Sequence, residues 1–358
     1  MELFEKHING LDIVNAFAFQ LNRRIDRLIL QCQRFQFDFI RCHKDDFAIC
    51  LNLLPAYSSR IEELGLSEHK TPGQIYAFLH AYPKFSSFPQ LRRLYFHMDL
   101  NNCDPTMIQI ALDSLAETPI ETLAVKIVGI PEEQYRSYGL NLAQFFQLPT
   151  VKKLAFATNV GFPYDFFDNV IKPSNIEYFT FADPEINFGD FSFLLRLMPN
   201  LKYLNIRLTS AQYGVRRWRD VDQNKLFPLM PMMKTCIVHV DDRKPIEFDL
   251  LAHHLKAMPD LLQLEVTAPH KLFNAQNWED LITSSLTKLV HLRLYATRHH
   301  QDPETVVQIT DAFKTPFWVK KTNFVFMLMQ LIDLLAKRRK VKCRKYLDVV
   351  IDQYRCLF

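Results

Sequence analysis

Along this chain an apolar residue is followed three positions later by a second and two after that by a third, and the pattern recurs nine times. The trios are Ile61-Leu64-Leu66, Leu91-Leu94-Phe96, Ile120-Leu123-Val125, Val151-Leu154-Phe156, Ile176-Phe179-Phe181, Leu201-Leu204-Ile206, Met233-Cys236-Val238, Leu261-Leu264-Val266 and Leu289-Leu292-Leu294. Their starts lie 30, 29, 31, 25, 25, 32, 28 and 28 residues apart. The last two members of each trio are two residues apart, so on a strand they share a face. The pattern predicts strand cores at 64–66, 94–96, 123–125, 154–156, 179–181, 204–206, 236–238, 264–266 and 292–294.

The segments between trios carry helical spacing. Ile108, Leu112 and Leu115 make a one-sided apolar stripe, as do Leu251, Leu255 and Met258. Asp104-Pro105 and Asp302-Pro303 each set a capping acceptor before a proline suited to a first helical turn. Pro83, Pro119, Pro149, Pro199 and Pro259 stop helices ahead of the following trios. Strand, loop, helix and stop therefore repeat every 25 to 32 residues. A lone unit cannot bury its own apolar face, but stacked units can, around a parallel sheet. The expectation is an α/β leucine-rich-repeat solenoid, a curved parallel sheet with outer helices. The Asn or Cys usual three residues past such a trio is present only at Asn159, so irregular turns are expected.

Composition adds limits. The 48% hydrophobic and 23% charged content is that of a globular chain. The seven cysteines are odd in number, irregularly spaced and without C-x-x-C, which argues against a disulfide framework and a zinc site. With no secretory signal ahead of the first helix, the cytoplasm or nucleus is the expected compartment. The longest apolar stretch, 324–336, is too short to span a bilayer and reads as a buried or interfacial helix. Of the 43 basic residues, seven fall between Lys337 and Lys345; the remaining 36 face 39 acidic ones. The chain is thus near neutral with a basic tail. That run reads as a solvated tail, a nuclear-import signal or a phosphate-binding patch.

No catalytic motif emerges. The eight glycines are never closer than eight residues, which excludes phosphate-binding loops and a nucleophile elbow. The His253-His254, His299-His300, Asp241-Asp242 and Glu132-Glu133 pairs read as solvated groups. No enzyme activity, cofactor, metal or small-molecule ligand is expected, and nucleic acid is not an expected partner.

Residues 1–30 lie outside the repeat. Asn9 or Asp12 is placed to cap a helix carrying Ile13, Phe17, Leu21, Ile25 and Leu28. Leu3-Phe4-Glu5, Gly10-Leu11-Asp12-Ile13, Ala16-Phe17 and Leu21-Asn22-Arg23-Arg24-Ile25 together resemble the body of an F-box. Thr71-Pro72-Gly73-Gln74-Ile75, Met198-Pro199-Asn200-Leu201-Lys202-Tyr203-Leu204-Asn205-Ile206, Trp278-Glu279-Asp280-Leu281-Ile282 and Phe317-Trp318 extend the resemblance to divergent F-box proteins with leucine-rich repeats. The resemblance implies the substrate-recognition subunit of an SCF-type cullin–RING ubiquitin ligase. A short all-α F-box-like segment would dock on a Skp-type adaptor through Leu3, Phe4, Ile8, Leu11 and Ile13, and the repeats would hold a protein substrate. The family's opening Leu-Pro-x-Glu stretch has no counterpart here, which implies weakened adaptor binding. The other reading makes residues 1–30 a cap and the chain a free-standing scaffold with no link to ubiquitin.

The expected organisation is therefore 1–45 as F-box-like segment or cap, 46–320 as the solenoid, and 321–358 as a divergent helical, basic tail. The expected partner surface is the sheet face opposite the trios: Arg93, Tyr95, His97, Lys126, Lys153, Tyr178, Tyr203, Asn205, Arg207, His239, Glu265, His291, Arg293 and Tyr295. Basic groups outnumber acidic ones there, which predicts an acidic or phosphorylated protein partner.

Overall fold

The computed structural model describes residues 5, 8–17, 27, 29, 31–69, 71–101, 104–128, 142–158, 172–209, 228–240, 246–297, 308–309, 311–320 and 323–329. The chain divides into two compact units, Met1–Ile176 and Glu177–Phe358. Both are α/β, each built on a parallel sheet whose strands follow chain order.

In the first unit the strands are β1 (Phe35–Asp38), β2 (Ile61–Ser67), β3 (Arg93–Asp99), β4 (Thr122–Val128) and β5 (Lys153–Thr158). Its helices are α1 (Gly10–Phe17), α2 (Lys44–Leu53), α3 (Gln74–Ala81) and α4 (Pro105–Asp113). In the second unit the strands are β6 (Tyr178–Asn187), β7 (Tyr203–Thr209), β8 (Thr235–Val240), β9 (Gln263–Pro269), β10 (His291–Thr297) and β11 (Phe324–Met329). Its helices are α5 (Phe188–Leu197), α6 (Phe248–Lys256), α7 (Ala275–Ser284) and α8 (Pro316–Lys320).

Each trio lies at the start of one of β2 to β10, and no trio residue is more than 5% exposed. Like positions pair across the ladder: Leu64 with Leu94, Leu94 with Leu123, Leu204 with Cys236, Leu264 with Leu292. The connecting segments cover this face. Phe96 of β3 meets Phe85 edge-on at 5.8 Å, and Phe85 stacks on Phe78 of α3 at 6.3 Å. Burying one such side chain contributes about 1.5–3 kcal/mol. Cys236 fills a trio position as a small hydrophobe, and burial pushes its thiol up to about 12.

Two backbone devices recur in the repeat. The first is a four-residue turn before the strand, closed by a bond from its last N–H to its first carbonyl. It occurs at Phe88-Pro89-Gln90-Leu91 (3.0 Å), Met198-Pro199-Asn200-Leu201 (3.2 Å), Met230-Pro231-Met232-Met233 (3.2 Å) and Met258-Pro259-Asp260-Leu261 (3.2 Å). Proline at the second position presets the φ such a turn requires. In the second device, one carbonyl just ahead of a strand accepts two successive N–H groups from the next unit. Arg92 O takes Glu121 N and Thr122 N, Glu177 O takes Lys202 N and Tyr203 N, and Lys234 O takes Leu262 N and Gln263 N. Asp104 caps α4 as its sequence foretells, its Oδ1 accepting from Thr106 N at 2.8 Å. The Asp302-Pro303 cap lies outside the described residues.

Two expectations are corrected. Phe35–Asp38, placed within the helical segment 1–45, is a strand that pairs with β2. Phe324–Met329, read as the start of a helix, is a strand in register with Leu292–Thr297. Both lack the standard trio. Phe35 pairs with Ile61 and Phe37 with Leu64, so the first spacing is two rather than three, and the register slips between Phe35 and Gln36 to absorb it. Ahead of β11 the first trio position is occupied by Lys321. The rest of the basic tail, 330–358, lies outside the described residues.

Candidate protein-interaction face and N-terminal segment

Parallel pairing fixes how the residues opposite the trios line up, as rows running across the strands. Strands are about 4.8 Å apart, and successive rows are separated by two residues of rise, about 6.6 Å. In the second unit the first row is Tyr178, Tyr203, Thr235, Gln263 and His291. The second is Thr180, Asn205, Ile237, Glu265 and Arg293, and the third Arg207, His239, Thr267 and Tyr295. The Tyr178 and Tyr203 rings lie 6.4 Å apart, inclined by 30°. Arg293 Nη1 sits 3.5 Å from Glu265 Oε2. Here β8 and β9 alternate strictly between buried and partly exposed residues, and β7 does so as far as Leu208. Tyr178, Tyr203, Asn205, Arg207, His239, Glu265 and Tyr295 are partly exposed, and His291 and Arg293 exposed. Burial, reinforced by the adjacent Arg207, lowers the His239 pKa to about 4, so this imidazole is neutral at pH 7.

The face of the first unit differs. Its rows are Glu63, Arg93, Thr122 and Lys153; Gly65, Tyr95, Ala124 and Ala155; and Ser67, His97, Lys126 and Ala157. Arg93 and Lys153 are partly exposed, but Tyr95 (6%), His97 (4%) and Lys126 (6%) are buried. The expectation of an open sheet face is corrected for these three. The alternation distinguishes the two faces of the sheet without saying whether the polar one is covered. The readable signal was the small residues at Gly65, Ala124, Ala155 and Ala157, which permit close approach.

His97 belongs to a buried polar network. Its Nδ1 is 3.0 Å from Ser67 Oγ, and its ring stacks on His69 at 5.6 Å. Desolvation first, then Lys126 and His69, lower its pKa to about 3. Next to it, Glu68 is 2% exposed and caps α3, accepting from Gly73 N at 2.5 Å and Ile75 N at 2.6 Å. Burial, the leading influence, raises its pKa. Gln74 ties the end of β2 to the residue just past β1, accepting from Ser67 N at 2.8 Å and donating to Phe39 O at 3.0 Å. In the sequence Gln74 stands out only within Thr71-Pro72-Gly73-Gln74-Ile75, and no pattern marks Ser67 or Glu68.

At the N-terminus Asn9 opens α1, its Oδ1 accepting from Leu11 N at 3.2 Å. The same carboxamide bonds to Asp38 in β1. Gly10 lies against the Phe37 ring, and Ile13 is 1% exposed. Of the five residues expected to meet an adaptor, Ile13 is therefore turned inward, a correction. Its position places it on the side of α1 that meets β1. Ile8 and Leu11 remain partly exposed, and Leu3 and Phe4 lie outside the described residues.

The adjacent histidines do diverge: His253 is exposed, whereas His254 is buried. Reading both as solvated is corrected for His254, whose Nε2 is 3.1 Å from Ser192 Oγ and whose Nδ1 is 2.8 Å from Leu250 O. The pairs Asp241-Asp242, Glu132-Glu133 and His299-His300 lie outside the described residues. Among the described residues, no group of three or more His, Cys, Asp or Glu is arranged to hold a metal ion, and no helix is long and apolar enough to cross a membrane. No protein-family model matches the chain, and no curated protein matches it.

Proposed function

We propose that this chain is a protein-recognition subunit, and that it serves as the substrate receptor of an SCF-type cullin–RING ubiquitin ligase. The observation that carries the first part is the polar, aromatic and arginine-bearing face of β6 to β10. Tyr178, Tyr203, Arg207, Arg293 and Tyr295 stand there in register, and these residue types dominate binding hot spots. With His239 neutral, the charged groups of rows two and three are Arg207, Arg293 and Glu265, a net positive set that suits an acidic or phosphorylated partner. The second part rests on the resemblance of residues 3–25 to an F-box. It also rests on the partial exposure of Ile8 and Leu11 on a segment held against the first strand.

A specific observation favours a second reading. Asn9, Gly10 and Ile13 all engage β1, as a cap for the sheet end would. In that case the chain is a free-standing scaffold. Affinity purification of the full chain from native cells separates the two. The receptor reading expects a Skp-type adaptor and a cullin to come with the bait, and the double variant Ile8→Asp, Leu11→Asp to lose both. The variant Arg207→Glu, Arg293→Glu should lose the substrate and keep the adaptor. Recovery of a protein partner with neither adaptor nor cullin would establish the scaffold in its place.

A further inference from the structure

The helices of the first unit present a second surface, independent of the sheet face. In Met1–Ile176 the large hydrophobic side chains that are exposed among the described residues are Ile49, Leu53, Tyr76 and Ile110. All four stand on α2, α3 and α4, which pack side by side. On each helix the buried residues fix the outward direction. Phe47 and Cys50 of α2 point inward, as do Ile75, Phe78 and Leu79 of α3 and Ile108, Ala111 and Leu112 of α4. At 100° per residue the opposite side carries Asp45 and Ile49, then Tyr76 and His80, then Thr106, Ile110 and Asp113. Tyr76 and His80 stack at 6.2 Å, their planes nearly parallel at 12°. Neighbouring helix axes lie about 8–10 Å apart, so these residues form one strip across three helices.

The charge on this strip is one-sided. The three helices carry Asp45, Asp46 and Asp113 against Lys44 alone. Asp45 and Asp113 lie at its two ends and are exposed.

We infer that the outer faces of α2, α3 and α4 form a docking site for a basic amphipathic helix of a partner protein. Its apolar side would cover Ile49, Tyr76 and Ile110, and its lysines or arginines would reach Asp45 and Asp113. An apolar strip bordered by acids discriminates against acidic helices of equal hydrophobicity, because like charges would then be brought together.

The test uses the full-length chain and a fluorescent synthetic peptide with Leu and Lys in amphipathic helical spacing. A control peptide has every Lys replaced by Glu. Anisotropy should report saturable binding of the Lys peptide and little of the Glu peptide. The triple variant Ile49→Ser, Tyr76→Ser, Ile110→Ser should weaken binding by about tenfold or more. Asp45→Lys with Asp113→Lys should weaken it several-fold. These positions are exposed, so circular dichroism should match the parent. Equal affinity of parent and triple variant would overturn the inference, as would equal binding of the two peptides. A homodimer that the triple variant dissociates, with peptide binding unchanged, would assign the strip to a second copy of this chain and overturn it too.

Discussion

The side chain of Asn9 pairs with both backbone polar groups of Asp38: its Nδ2 donates to Asp38 O at 3.0 Å, and its Oδ1 accepts from Asp38 N at 3.0 Å. Phe39 N bonds to Gly65 O, so alternate residues of this segment face β2 and Asp38 faces the other way, where, among the described residues, no strand of the first unit lies. A carboxamide there imitates a neighbouring peptide and occupies an edge that would otherwise recruit foreign strands.

Replacing Asn9 with Ala should therefore act twice. Loss of two hydrogen bonds to partly buried edge backbone, and of the one to Leu11 N, should lower stability by about 1–3 kcal/mol, read as a lower urea midpoint. Exposing the edge should also raise the tendency to aggregate in light scattering. A midpoint matching the parent would show the pairing to be dispensable.

Gly10 supplies the clearance that lets α1 approach β1. A Cβ there would come within 2.7 to 2.8 Å of three ring atoms of Phe37. That ring is hemmed in by Phe39, stacked at 5.8 Å, and by Tyr57 at 6.1 Å, so it has little room to yield. Gly10→Ala should cost about 1–3 kcal/mol by overpacking. Gly73→Ala makes a useful comparison: the site is open but has φ 82°, so its cost would be conformational instead.

Where the trio was intact, the sequence revealed both the strand and its buried face, because a period of two and a fixed repeat are set by backbone geometry alone. The two strands it concealed show the limit of that reasoning. In β1 a slip in register accommodates the shortened spacing from Phe35 to Phe37, a tertiary adjustment that spacing rules do not anticipate. In β11 the run Phe324-Val325-Phe326-Met327-Leu328-Met329 is apolar at every position. Such a run fits a buried strand or a buried helix equally until its neighbours are known. The interaction face was legible as a set of alternating positions. Its division into an open part and a closed part was not, since Tyr95 and Asn205 occupy like positions along their strands, one residue past Leu94 and Leu204, yet the first is buried and the second partly exposed.

Stability should fall with acid in a way traceable to His97. Its pKa is about 3 when folded against an ordinary 6.5, so the folded state resists the proton that the unfolded chain accepts. The contribution of the neutral ring is complete above pH 6.5. It is lost as the pH drops from 6.5 towards 3, at up to about 1.4 kcal/mol per unit. His239 acts in the same direction between 6.5 and about 4. His97→Asn keeps an amide near Ser67 and cannot titrate, so its stability should vary less over that window in chemical denaturation at several pH values. An unaltered pH profile would exclude His97 as the source.

Thiol chemistry offers a separate check. Cys32, Cys42, Cys50 and Cys236 are buried thiols that take part in no disulfide. Burial, the leading cause at each, raises all four pKa values, to about 12 at Cys42 and Cys236 and about 11 at Cys50. The thiolate is the reactive form, so these four should resist a thiol reagent in the native protein and react on unfolding. Peptide mapping after native labelling should find them unmodified. Rapid labelling of Cys236 would contradict its placement in the core.

The proline turns carry an implication for how such a chain can change in length. Met198-Pro199-Asn200-Leu201 and Met258-Pro259-Asp260-Leu261 have the same internal 3.2 Å bond and the same kind of residue at each end, and each delivers the chain into a strand of like register. Joining Met198 directly to Pro259 would recreate an intact turn at the seam and bring β9 where β7 had been. The cut removes whole modules and leaves no stub of helix or half strand behind. A cut between points that are not equivalent in two repeats would leave unmatched backbone on one side of the seam. Gene rearrangement that duplicates or excises from turn to turn is thus the route by which this architecture can lengthen or shorten and still close its hydrogen bonds.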